Sequence, residues 1–163
     1  MQLIQAATTK DIPAIRDLSL RIWPDTYGQI LSAEQLNYML DMMYSETALL
    51  RQMEEGQQFI LISEDDQPLG FAAYGKADND ITWKLHKIYV LPNIQGKGLG
   101  KKLLEYVISM VKKAGAQQLI LNVNRYNKAR QFYERLGFTV LREEDINIGS
   151  GYFMNDYVMQ LSF

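Results

Sequence analysis

The stretch Leu85-His86-Lys87-Ile88-Tyr89-Val90-Leu91-Pro92-Asn93-Ile94-Gln95-Gly96-Lys97-Gly98-Leu99-Gly100-Lys101 decides the fold. An apolar strand stops at Pro92, a short loop carries alternate glycines, and a helix opens at Leu99. Amides at a helix start point outward, and the helix dipole adds partial positive charge there. Glycine lets a ligand approach the backbone, and Lys97, Lys101 and Lys102 supply full charges nearby. The loop therefore reads as an anion cradle, although taken alone it also fits a flexible turn.

Two phosphate-binding motifs fail on the residues. A dinucleotide fingerprint needs G-x-G-x-x-G and an acid about 20 positions on. Gly96, Gly98 and Gly100 have another spacing, and no acid falls between 117 and 123. A P-loop would need glycine where Gln95 stands and a hydroxyl where Lys102 stands.

Outward from the loop, Leu99 to Ala114 has its polar positions on one face and Gly115 as a stop, which predicts a helix. Upstream, Phe59 to Ser63 and Leu69 to Tyr74 are apolar runs around Asp65-Asp66-Gln67-Pro68, a hairpin pattern. Ile81 to Leu91 reads as a longer strand. Nearer the N-terminus, Gln2 to Ala7 predicts a strand and Thr9 a helix cap, with Ile12, Ile15, Leu18 and Ile22 at helical spacing. Ser32 and Gln35 form a capping-box pattern before Leu36, Met39, Leu40 and Met43, and Ser45 to Glu55 predicts a further short helix. Downstream, Leu119 to Val123, Phe138 to Leu141 and Tyr152 to Leu161 predict strands, with a helix over Lys128 to Leu136. The adjacent charges Glu143, Glu144 and Asp145 read as a solvated turn.

Composition narrows the function. The chain has 163 residues, 47% hydrophobic and 22% charged, which suits one soluble domain over 1–163. With no cysteine and a single histidine, neither a thiolate nor a histidine-rich metal site is expected. Seventeen basic and nineteen acidic residues show no basic surplus, so no nucleic-acid partner is expected. No apolar run approaches the ~18 residues of a membrane span, so no membrane partner is expected. The first residues lack a basic stretch followed by an apolar one, which makes a cytoplasmic location the default.

The loop also matches a known signature. Gln95, Gly98 and Gly100 fit the Q/R-x-x-G-x-G/A pattern of the GNAT superfamily of N-acetyltransferases, which this chain resembles. A second block, with Asn127, Ala129, Tyr133, Gly137 and Phe138, resembles another segment of that family. The likeness extends loosely to the branch with bacterial polyamine acetyltransferases, through Trp23 to Tyr27 and Gly151 to Met159.

The resemblance implies a mixed α+β fold: a mostly antiparallel twisted sheet of six to seven strands flanked by about four helices. It implies acetyl-CoA as cosubstrate, with no metal. Gln95, Gly96, Lys97, Gly98, Leu99, Gly100 and Lys101 would hold the CoA pyrophosphate. Ile88, Tyr89 and Val90 would pair through their backbone with the pantetheine arm, and Asn127 would cap a helix and bond the same arm. Tyr133 would be the general acid, since a phenol keeps its proton at pH 7.

His86 is the candidate base; strict alternation puts it on one strand face with Lys84, Ile88 and Val90. Trp23, Tyr27, Trp83 and Tyr152 are the candidate acceptor-binding residues, because aromatic groups suit a cationic amine. The implied reaction is direct transfer of acetyl to a primary amine in a ternary complex, with a small cationic amine or polyamine favoured. A protein or peptide N-terminus is the alternative acceptor, and an acyl-CoA sensor without catalysis the alternative function. A homodimer is expected by family habit alone.

Overall fold

The computed structural model describes residues 1–94 and 96–163, so Gln95 of the expected signature lies outside the described residues. Seven strands form one sheet: β1 (Gln2–Ala6), β2 (Gln58–Glu64), β3 (Gln67–Lys76), β4 (Thr82–Val90), β5 (Gln118–Asn124), β6 (Thr139–Gly149) and β7 (Tyr152–Ser162). Their order is β1-β2-β3-β4-β5-β7-β6, and β4 with β5 is the parallel pair in an otherwise antiparallel set.

Helices cover both faces. On one lie α1 (Ile12–Tyr27), α2 (Ala33–Tyr44) and α3 (Glu46–Glu54), packed on Phe59, Leu61, Phe71 and Ala73. On the other lie α4 (Leu99–Lys113) and α5 (Ala129–Arg135), packed on Ile60, Ile62, Leu85 and Leu119. In α4 the residues Leu99, Leu103, Leu104, Val107 and Val111 are buried, each worth roughly 1.5–3 kcal/mol of removed apolar surface. Among the described residues no helix is long and apolar enough to cross a membrane.

Five α-helices flank the sheet among the described residues, in keeping with the expected fold. Ser45 takes an extended backbone (φ −64°, ψ 157°) and its hydroxyl accepts from Ala48 N, so it ends α2 and caps α3. Ser32 caps α2 in the same way, accepting from Gln35 N. The first cap is Thr8, one residue earlier than predicted, and it exchanges hydrogen bonds with Asp11. The β2–β3 turn is Asp65-Asp66 alone, both at positive φ (49° and 65°), the geometry that matches strand twist in a two-residue hairpin.

The C-terminal hairpin departs most from expectation. β6 runs on to Gly149, so Glu143, Glu144 and Asp145 sit in an edge strand and not in a solvated turn. Arg125 holds Glu143 at 3.4 Å and also pairs with Asp145, while Ile146 and Ile148 continue the alternation.

Candidate active site

The sheet is split at its centre. β4 pairs with β5 from Thr82 to Leu85, and no further. At the same place the β3–β4 register slips: Ala73 faces Lys87 while Tyr74 faces Leu85, which leaves His86 as an extra residue in a β-bulge. The bulge corrects the expected strand faces. Trp83 and Leu85 pack toward α4, yet so do Ile88 and Val90, which strict alternation would put opposite them. His86 is therefore not on a common face with Ile88 and Val90. Lys84, His86, Lys87 and Tyr89 instead line a cavity of about 290 Å³ beneath the helix layer.

The far wall of this cavity is apolar, built by Trp23, Met39 and Met43 with Phe153 and Met154 from β7. Polar groups interrupt it. Lys87 is 4% exposed, donates to Gln57 Oε1 at 3.0 Å, and lies 5.4 Å from the centre of the Phe59 ring and 6.0 Å from that of Tyr44. Burial, then the charge of Lys84, lowers its pKa to about 7. Burial, followed by the charges of Lys84 and Lys87, brings His86 down to about 4, so its imidazole is neutral at pH 7.

Two acceptors in the cavity lack a partner among the described residues. Asp156 is 1% exposed; its Oδ2 accepts from Asn122 at 3.3 Å, while Oδ1 has no hydrogen bond. Burial raises its carboxyl above the ordinary range, against the bond from Asn122. Gln52 donates to Met43 O at 3.0 Å, and its Oε1 is likewise buried and unpaired. Buried polar atoms are paired almost everywhere in proteins, so two such acceptors in one cavity point to a bound donor.

Tyrosines stand on both sides of β4, Tyr27 and Tyr89 in the core under α1–α3 and Tyr133 in the core under α4 and α5. Tyr27 and Tyr89 join their hydroxyls at 2.9 Å. Tyr133, on α5, is buried edge-on against Phe138 and Phe132, with ring centres 5.7 and 5.3 Å away. Burial first, then neighbouring Tyr27, raises its pKa above that of a free phenol, so Tyr133 is fully protonated at pH 7.

At the end of β4 the chain turns through Gly96 (φ +91°) and Gly98 (φ +77°), a region that L side chains rarely adopt. Gly98 is the N-cap of α4, and no side chain caps that helix. Amides of the first turn, from Leu99 to Lys101, precede the first helical bond, Lys102 N to Gly98 O at 3.1 Å. Lys97 is exposed, Lys101 lies 3.8 Å from Glu105, and Lys102 bonds to Gln2. An uncapped helix start with open glycines and three lysines fits a pyrophosphate. Asn127 Oδ1 accepts from Ala129 N at 3.0 Å at the entrance to α5, whose N-cap position is Lys128 and not Asn127.

Residues 29–156 match the Acetyltransferase (GNAT) domain. The chain belongs to the GNAT family. Among relatives, the peptidyl-lysine N-acetyltransferase YjaB of Escherichia coli is 30% identical over 130 residues, 78% of this chain and 77% of that one. The ribosomal protein bS18-alanine N-acetyltransferase of Haemophilus influenzae is 37% identical over 86 residues, 52% of this chain. That alignment spans 58% of the Haemophilus protein's own length. Among solved structures, the PaiA N-acetyltransferase of Thermoplasma acidophilum, in complex with coenzyme A, superposes with a TM-score of 0.84 at 24% identity. It covers 100% of this chain and 99% of its own.

Within this GNAT fold the sequence-expected residues divide. Trp23, Tyr27, His86 and Tyr89 line the cavity. Trp83 does not reach it: it is buried on the opposite face, beside Tyr74 at 6.2 Å. Tyr152 stacks on Tyr38 at the β6–β7 turn, with ring centres 5.3 Å apart, and is not among the lining residues. Lys87, Gln52 and Asp156 were not expected. None of the three carries a sequence signal, since β4 also holds Lys84 and His86 beside Lys87. Among the described residues no three His, Asp or Glu side chains converge on a possible metal site.

Proposed function

We propose that this chain is an acetyl-CoA-dependent N-acetyltransferase acting on a small primary amine in a ternary complex. The observation that supports it most is the split after Leu85, because the same carboxyl half of β4 borders the cavity and leads into the uncapped start of α4. Gly96 to Lys101 would hold the pyrophosphate. The backbone of Ile88 to Val90 would run along the pantetheine arm, and Asn127 would bond it. Acetyl-CoA supplies the acetyl group as a thioester.

The chain's own groups then manage protons. The amine nitrogen forms a bond to the acetyl carbon, the carbon–sulfur bond breaks, and the sulfur leaves as CoA thiol. Tyr133 gives its proton to the sulfur and regains one from water, and its raised pKa keeps the phenol protonated at pH 7 between turnovers. His86, neutral in the cavity, takes the proton lost by the nitrogen and passes it to water. Acid–base help of this kind is worth roughly 10²–10⁴-fold. Trp23 and Tyr27 wall the acceptor, and the unpaired oxygens of Asp156 and Gln52 receive its N–H groups.

A polyamine, favoured by sequence, would bring several cations beside Lys84 and Lys87; a small amine with one ammonium meets less of that repulsion. The test is release of free CoA from acetyl-CoA with a panel of amines, run beside calorimetry of CoA binding. Release with a small amine is expected. CoA binding with no release from any amine would leave the chain a sensor, and absent CoA binding would overturn the reading.

A further inference from the structure

The cavity holds a buried amine, that of Lys87, which the fold leaves without a counter-ion for its charged form. Lys87 is 4% exposed, and among the described residues no carboxylate lies within ion-pair distance of it. Its polar partner is the neutral amide oxygen of Gln57, which satisfies one of three ammonium donors. Buried charges are ordinarily paired, because an isolated one loses its hydration. Lys84 adds a second positive group to the same cavity. Asp156 and Gln52 line the same cavity, and their Oδ1 and Oε1 are buried acceptors with no donor among the described residues. The cavity thus carries unsatisfied positive and hydrogen-bond-accepting groups together.

Resting on the acetyltransferase reading, we propose that the acceptor is a small amine that also carries a carboxylate, in the chemical class of an apolar amino acid. Its carboxylate pairs with Lys87 and its amine meets Asp156 and Gln52. Its side chain lies against the apolar wall of Trp23, Met39 and Met43. A volume of about 290 Å³ has room for an amino acid of this size.

Matched probes test this: L-leucine, its amide, and isopentylamine, which is leucine without the carboxylate. Wild-type protein is expected to use L-leucine at least tenfold better in kcat/KM than either analogue lacking the carboxylate. In Lys87→Met, that ratio falls to within about twofold; Lys87→Gln serves as a second variant in case the first does not fold. Calorimetry of L-leucine and isopentylamine with the CoA-bound protein reads the same preference without turnover. A tenfold tighter leucine would support the proposal even where no acetyl transfer is seen, which separates it from failure of the enzyme reading. Equal use and equal binding of the matched pair, or a preference for isopentylamine or spermidine, would overturn it. So would an unchanged leucine preference in a folded Lys87 variant.

Discussion

Tyr27, at the last turn of α1, and Tyr89, on β4, meet hydroxyl to hydroxyl at 2.9 Å. The bond ties the helix layer to the strand that borders the cavity. Tyr27→Phe leaves the Tyr89 hydroxyl without this partner and should cost about 1 kcal/mol of stability. Urea unfolding would show it, and Tyr27→Phe combined with Tyr89→Phe should cost less than the two singles summed. Strict additivity would mean that the pair is not coupled.

Tyr133→Phe removes one hydroxyl and keeps the ring that packs on Phe138. Turnover with the best amine should fall roughly 10²-fold or more, with CoA affinity within about twofold of wild type. Full activity in this variant would remove Tyr133 from the chemistry.

His86 is neutral above its depressed pKa of about 4. As a base it should work throughout the neutral range and lose function only as pH falls through that value. The ratio of wild-type to His86→Gln kcat/KM should therefore stay flat from pH 6 to pH 9. A ratio that rises across pH 6 to 7 would place an ordinary imidazole there.

Lys87 titrates near 7 in the folded chain, against 10.5 for a free lysine. Between those values the unfolded chain binds a proton that the folded one does not, so stability rises with pH in this window. The slope is at most about 1.4 kcal/mol per pH unit. Wild type compared with Lys87→Met in urea, at pH 7 to 10, should show the wild type gaining on the variant; parallel curves would argue against a depressed lysine.

Gly98 and Gly100 should part company. Alanine at Gly98 must adopt φ +77°, a strained conformation costing about 1–2 kcal/mol, at the cap of α4. Alanine at Gly100 would put its methyl 3.8 Å from Phe132, an ordinary contact. Calorimetry with CoA should show weakened binding for Gly98→Ala and near-normal binding for Gly100→Ala.

Local signals made most of the fold legible. The Gly96–Gly100 turn, the Ser32 and Ser45 caps and the periodicity of α4 depend on near neighbours, and each appears close to its expected place. The bulge at His86 is different. It arises from pairing with Ala73 and Tyr74, far off in sequence, and it turns Lys87 into the cavity while the strand pattern stays ordinary. The charged part of β6 misled for a similar reason, since Glu143 and Asp145 are held by Arg125 from another segment. Trp83 and Tyr152 looked suitable as aromatics, but their faces were set by packing against Tyr74 and Tyr38.

The short parallel ladder from Thr82 to Leu85 has a consequence for assembly. It is where a four-strand half, β1 to β4, meets a three-strand half, β5 to β7, and neither half owns a whole site. His86 and Lys87 come from the first, Asp156 from the second, and Tyr133 from the helix inserted between β5 and β6. A ligand seated across the division therefore fastens two pieces of sheet to each other, and its binding energy adds to their cohesion. Occupancy becomes a reporter of complete folding, because a molecule with only one half in order has nothing to close around.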